Sequence, residues 1–264
     1  MDLQLIKRTG VGAAYKAAKI LNDHFGKITK VIKKGAIDLV TVADTESEKT
    51  IIQSIRSRFP DHSILAEESG LSQGKTSTQW IIDPLDGTTN FTHHLGMFAV
   101  SIAFALNGNI DVGIVLNPVT GELFTAVKGL GAELNGRPIS ISDSRTVSES
   151  LLVTGFPYNI KDVLESVLAR FSNCVSASQG VRRLGSAALD LCYVACGRFD
   201  GFWEQNLKPW DTAAGMLIAN EAGGVTTDFS NRPFTIDKNE ILSTNGHIHK
   251  EMLSLLGIKR PAAP

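Results

Sequence analysis

The chain has 264 residues, 43% hydrophobic and 20% charged, with a formal net charge of −1, which suits one large folded domain or two that share a core. Near-neutrality offers no basic stripe of the kind a nucleic-acid binder carries, so a nucleic-acid ligand is disfavoured. No apolar run approaches the roughly 20 residues of a membrane-spanning helix, so a membrane role is not expected.

From the N-terminus, Leu3, Ile6, Ala13, Ala17, Ile20 and Leu21 recur at helical spacing and predict a helix over about residues 3–25. Lys7, Arg8, Lys16 and Lys19 interrupt its apolar positions, so it does not read as a secretory leader and a cytoplasmic protein is expected. Cys174, Cys192 and Cys196 lack framework spacing, which agrees with a reducing compartment and core thiols. A second helix is predicted over residues 45–59, capped by Asp44 and ended by Pro60. A strand over residues 63–66 delivers Glu67-Glu68 into a Gly/Ser-rich loop, and Trp80-Ile81-Ile82 predicts a buried strand that stops at Asp83-Pro84.

An antiparallel meander follows, with strands at 98–106, 111–117, 121–128 and 132–134 and turns at Asn107-Gly108 and Asn135-Gly136. Beyond Ser142, strands at 151–154, 200–203, 224–227 and 241–243 are interspersed with helices at 161–171, 186–196, 211–222 and 247–256. The expected organisation is therefore an α+β half, residues 1–142, whose antiparallel sheet carries most candidate metal ligands. An α/β half, residues 143–264, would contribute Asp211 and substrate contacts. The last six residues read as a frayed tail.

The informative acids stand at element ends rather than on solvated helix faces: Glu67 after one strand, Asp83 and Asp86 after another, Asp211 opening a helix. Pro84 fixes the turn that returns Asp86 to the side of Asp83. Clustered carboxylates repel and stay partly protonated unless a cation joins them. An all-oxygen donor set favours magnesium, manganese or calcium over zinc. Gly87-Thr88-Thr89-Asn90 follows at once, and Gly87 permits the close backbone approach with which N–H groups cradle an anion. Carboxylates beside an anion nest point to metal-assisted phosphoryl hydrolysis.

These segments resemble the inositol monophosphatase family, within the lithium-sensitive, magnesium-dependent phosphatase superfamily. Asp83-Pro84-Leu85-Asp86-Gly87-Thr88-Thr89-Asn90 is similar to the family's first signature and Trp210-Asp211-Thr212-Ala213-Ala214-Gly215 to its second. Ala66-Glu67-Glu68-Ser69 and the segment from Asp38 to Asp44 also follow family patterns, in the expected order. The resemblance implies a layered αβαβα sandwich of the sugar-phosphatase type, combining α+β and α/β halves. It implies two to three Mg2+ ions, held by Glu67, Asp83, Asp86, Asp211 and the Leu85 carbonyl. Thr88, bonded to Asp44, would orient and help deprotonate the attacking water, with Glu67 near a third, weaker ion. Gly87 and Thr88 N–H groups would hold the phosphate, with Lys33 nearby. Gly185, Ser186, Ala187, Glu204 and Asp86 would meet substrate hydroxyls. The implied enzyme is a phosphoric monoester hydrolase acting on a small phosphorylated polyol or sugar, inositol-1-phosphate first, in a homodimer. Fructose-1,6-bisphosphate or a nucleotide bisphosphate is the alternative substrate. In another class of reading, the chain is a regulatory binding partner of the RNA-synthesis machinery, as some bacterial relatives are.

Three other signals carry less. The segment from Gly70 to Thr76 imitates a nucleotide-binding loop but is one residue short between its glycines. His93-His94 are adjacent and poorly placed to share a metal. Arg182-Arg183 reads equally as a phosphate contact or a solvated turn.

Overall fold

Along strand β5 (Thr78–Asp86) successive side chains point to opposite faces of a sheet, and both faces are covered by helices. Trp80 and Ile82 join one apolar cluster, Ile81 another. That division generates the layers. In the computed structural model, which describes residues 1–27, 31–33, 39–75 and 77–257, helix α1 (Leu3–His24) is followed by a hairpin, β1 (Val31–Lys33) and β2 (Leu39–Thr41), and helix α2 (Val42–Arg56). Strands β3 (Ser63–Ala66) and β4 (Gly70–Ser72) precede β5, and the five-residue helix α3 (Thr88–Thr92) follows it. The meander comprises β6 (Ala99–Leu106), β7 (Asn109–Asn117), β8 (Glu122–Val127), β9 (Ala132–Leu134) and β10 (Arg137–Pro138). Together these strands form an eight-stranded sheet, ordered β10-β9-β8-β7-β6-β5-β3-β4.

The second half contains β11 (Leu151–Thr154), α4 (Ile160–Ala177), β12 (Gly180–Arg182), α5 (Ala187–Ala195), β13 (Gly201–Gln205) and α6 (Pro209–Glu221). It closes with β14 (Val225–Thr227), β15 (Glu240–Thr244) and α7 (His249–Leu256). Its five-stranded sheet runs β12-β11-β13-β15-β14, with β11 parallel to β12 and β13 and the other pairs antiparallel.

Helices α1 and α2 bury Ala17, Leu21, Ile51 and Ile55 against Trp80, Ile102, Phe104 and Ile114. Helices α5 and α6 lie between the two sheets, where Leu189, Leu191, Ala214 and Ile218 meet Ile81, Val115, Phe202 and Ile241. Helices α4 and α7 cover the far face through Cys174, Met252 and Leu256 on Leu152, Trp203 and Leu242. Each such large apolar side chain contributes about 1.5–3 kcal/mol by leaving water. The result is the αβαβα sandwich, and its central layer is shared by both halves of the sequence. Two glycines set how closely that layer approaches its neighbours. A Cβ on Gly113 of β7 would lie 2.7 Å from the Ala214 carbonyl oxygen, and one on Gly215 would lie 2.7 Å from the Leu191 Cβ.

Three local expectations change. Helix α2 starts at Val42 with Thr41 as its N-cap; Asp44 is the third helical residue, and its carboxylate accepts from the Thr41 N–H at 2.8 Å in a capping box. That helix ends at Arg56, well short of Pro60. Strand β5 continues through Pro84 to Asp86, because a register shift between Asp83 and Asp86 removes the need for an N–H at the proline. Gly70–Ser72, expected as part of a Gly/Ser-rich loop, is an edge strand antiparallel to β3. The Lys33 side chain, Asp38, Thr76 and the expected tail lie outside the described residues. Among the described residues no helix is long and apolar enough to cross a membrane.

Candidate active site

Strands β3 and β5 are parallel with Ala66 opposite Ile82, so the residues that follow, Glu67 and Asp83, leave the sheet side by side. The Glu67 N–H donates to the Ile82 carbonyl at 3.1 Å, and the two carboxyl groups are hydrogen-bonded to one another. Ser101 pairs with Asp83 across β6, and its hydroxyl donates to the Trp210 carbonyl at 3.2 Å. This contact fixes the start of α6. Asp211 is then held by the Lys208 N–H, which donates to its carboxylate at 2.7 Å. Asp86 is held from a third direction: the Ser186 hydroxyl donates to Oδ2 at 2.6 Å and the Ala188 N–H at 2.8 Å. Four carboxyl groups from distant stretches of chain thus face one space.

Their electrostatics are unfavourable as they stand. Burial, followed by the charges of Glu67, Asp86 and Asp211, holds the Asp83 carboxyl well above its ordinary range. Asp211 is displaced upward by burial and by Asp86. Asp86 is pushed to about 6 by burial, against the opposing hydrogen bonds from Ser186, Ala188 and Ala187. A multivalent cation relieves such a cluster. Among the described residues no group of three or more His, Cys, Asp or Glu side chains is spaced to hold a metal ion by itself. The oxygen-only chemistry of these carboxyl groups and of the nearby Leu85 carbonyl fits a hard ion that completes its shell with water, which is the habit of magnesium.

Beside the acids, Gly87 adopts a left-handed conformation (φ 96°) as the N-cap of α3. A Cβ there would come within 3.0 Å of the Met97 carbonyl and 3.1 Å of the Gly185 carbonyl, so glycine is required twice over. The turn presents the first N–H groups of α3, which have no partner within their own helix. The Thr88 hydroxyl lies 3.2 Å from Asp44 Oδ1 and 3.1 Å from the Leu85 carbonyl oxygen. Its single proton serves one of them. Asp44 is buried, and burial raises its carboxyl to about 6 even though Thr41 donates to it twice.

Of these groups Asp86, Gly87 and Asp211 border a cleft of about 420 Å³, which Gly185 and Glu204 also line. Glu204 lies on its wall with its carboxyl pushed up to about 8, chiefly by burial, with Arg183 opposing. Its seat is cut by Gly155, where a Cβ would lie 2.0 Å from Glu204 Oε2. Gly185 and Ala187 line the cleft, while the Ser186 hydroxyl is spent on Asp86. Of the arginine pair, Arg183 borders the cleft, whereas Arg182 is exposed on an edge strand. His94 packs its ring edgewise on Phe25, as a loop residue would.

Several contributors were not apparent from motifs. Residues 155–159 and 206–208 line the cleft because β11 and β13 run parallel and discharge their loops at the same end; the rule that sites gather at the carboxyl ends of parallel strands was the available signal. Asp190 on α5 is completely buried, and among the described residues neither carboxyl oxygen finds a hydrogen-bond partner. Burial and the nearby Glu204 hold it well above the usual carboxylate range, hence neutral.

The model of the inositol monophosphatase family matches residues 2–258. Inositol-1-monophosphatase of Synechocystis is 45% identical over 97% of this chain and 90% of its own length. Nus factor SuhB of Pasteurella multocida is also 45% identical, over 92% of each. Among solved structures, the extragenic suppressor protein suhB of Bartonella henselae superposes with a TM-score of 0.93 at 40% identity, covering 96% of this chain and all (100%) of that one. Inositol monophosphatase from Anabaena gives 0.89 at 43% identity, covering 97% and 96%. Matched by the family model over nearly its whole length and by these structures over the same layers, the chain belongs to the inositol monophosphatase family.

Proposed function

We propose that the protein hydrolyses small phosphate monoesters of polyols, with inositol-1-phosphate as the first substrate to test. The observation that carries this reading is the mutual proximity of Glu67, Asp83, Asp86 and Asp211, of which Asp86 and Asp211 open on a cleft walled by Glu204, together with the hydrogen-bonded Thr88–Asp44 pair. Two to three Mg2+ ions would be held by those carboxylates and the Leu85 carbonyl, and when bound they would neutralise the phosphoryl group and acidify water. Thr88 donates to Asp44, which leaves its oxygen lone pair to accept the proton of attacking water; its own proton then passes to Asp44, poised near neutrality for that exchange. The N–H groups at Gly87 and Thr88 hold phosphate oxygens. Glu204 accepts hydrogen bonds from hydroxyls of the departing alcohol, which makes it a reader of the alcohol rather than of the phosphate.

Fructose-1,6-bisphosphate is the runner-up substrate. A role as a regulatory partner of the RNA-synthesis machinery is supported by the Nus factor names among relatives as similar as the phosphatase; the hydrogen-bonded Thr88–Asp44 pair favours hydrolysis. The deciding measurement is kcat/KM for inositol-1-phosphate, fructose-1,6-bisphosphate and adenosine 3',5'-bisphosphate with magnesium. Phosphate release from none of them ends the hydrolase reading.

A further inference from the structure

Two residues beyond Glu204, Asn206 also lines the cleft, and Asn159 lines it from the loop after β11. The two loops are neighbours because β11 and β13 run parallel, with Thr154 opposite Trp203. Asn206 has a left-handed backbone (φ 62°), which asparagine adopts more readily than most side chains. Its N–H donates to the Asn239 carbonyl at 2.6 Å, which pins the main chain. The side chain crosses to the other loop, where Asn206 Nδ2 donates to Asn159 Oδ1 at 2.9 Å. Asn159 is the N-cap of α4, a position at which an asparagine side chain ordinarily accepts from first-turn N–H groups. It makes no such bond. Its carbonyl is given to Asn206 instead.

Counting donors and acceptors shows what the pair offers a ligand. Each amide has one carbonyl oxygen and one NH2 group. When one amide donates to the other, one carbonyl oxygen and one NH2 group are left over, whichever of the two donates. Among the described residues neither leftover group has a hydrogen-bond partner. An acceptor beside a donor, both uncharged, matches a hydroxyl, which does both at once. A carboxylate only accepts and an ammonium only donates, so neither satisfies the pair. Gln205 between Glu204 and Asn206 is extended, which sets their Cα atoms about 6.5 Å apart, far enough to address separate hydroxyls.

We infer that Asn159 and Asn206 determine specificity by binding a hydroxyl of the substrate alcohol separate from the one that Glu204 accepts; this rests on the reading of the cleft as the alcohol site of a phosphatase. The substrate is then an alcohol with at least two free hydroxyls besides the esterified one. Two uncharged variants test it. Asn206→Gly removes the side chain and suits the left-handed backbone; Asn159→Ser removes the amide and keeps a residue able to cap α4. KM and kcat are measured with Mg2+ for inositol-1-phosphate, for its analogues each lacking one ring hydroxyl, and for phenyl phosphate. Kd for the same esters is measured by calorimetry with Ca2+ in place of Mg2+, so that binding is read without turnover. Each variant is expected to raise KM and Kd for inositol-1-phosphate about three- to tenfold, as for loss of a neutral hydrogen bond, with kcat and phenyl phosphate unchanged. One deoxy analogue should be insensitive to both variants and still sensitive to Glu204→Gln. An equal rise for phenyl phosphate, or for every deoxy analogue, reduces the pair to loop support and overturns the inference. Turnover and binding that neither variant alters overturn it too, and leave the hydrolase reading standing. The expected Kd pattern without phosphate release sinks the hydrolase reading alone. Binding of none of these esters ends both.

Discussion

The two sheets contribute to the site in different ways. The eight-stranded sheet and helix α2 packed on it supply groups fixed by main-chain bonds: Asp83 receives the Leu85 N–H at 2.9 Å, and Asp44 of α2 is locked into a capping box before it meets Thr88. The five-stranded sheet supplies Glu204, which is seated by shape against Gly155, with Asn159 and Asn206 bonded to each other across the loop ends at 2.9 Å. On the proposed function, the groups that would act on the phosphate common to many esters are rigidly bonded. The groups that would face the variable alcohol are placed by packing, which would leave their polar atoms available to a ligand.

Substitutions on the two sides should therefore break different steps. The largest effect is expected for Asp86→Asn or Asp211→Asn, each with turnover lowered by at least about a hundredfold and with altered magnesium dependence, read from initial rates against magnesium concentration. Unchanged metal dependence would remove those residues from the ligand set. Thr88→Val, which keeps shape and loses the hydroxyl, should lower kcat about a hundredfold with little change in KM; a pure KM effect would reassign Thr88 to binding. On the other sheet, Glu204→Gln should raise KM for a polyol phosphate about tenfold and leave an aryl phosphate, which has no hydroxyls to read, unaffected. Gly155→Ala should mimic it by displacing the Glu204 carboxyl. Equal losses on both esters would erase the division of labour.

The smallest effect concerns Asp190. Its folded carboxyl holds a proton that the unfolded chain releases above about pH 4. The native state thus binds more protons there, and the contribution of Asp190 to stability declines as pH rises from that value toward its elevated folded pKa. Asp190→Asn should accordingly stabilise the protein by on the order of 1 kcal/mol at pH 7 and by less at pH 5, measured by thermal unfolding at both. A larger gain at pH 5 would mean that Asp190 is ionised in the fold.

Much of this was legible from short-range signals. The bounds read from sequence for β3, β9 and β11, short segments flanked by polar or turn-forming residues, match the structure to the residue. The two acidic segments stood out because charged residues interrupt apolar runs only where a strand ends. Misjudged boundaries came from rules with exceptions: Pro84 usually ends a strand but is tolerated at a bulge, and Thr41 and Asp44 are both good capping residues, so one was taken for the other. The cleft wall at 155–159, the bonds from Ser186 and Ala188 to Asp86, and the buried Asp190 depend on strand order and helix placement, which no local pattern encodes.

The contact between Gly113 and Ala214 lies in a plain stretch of core. Yet α6 carries Asp211 at one end and rests on the sheet that carries Asp83, so the thickness of that contact gauges the gap between two acids. A methyl group at position 113 would widen the gap from inside the protein. A variant of this kind would first register as a changed appetite for metal, in a protein that still folds and still holds every acidic side chain.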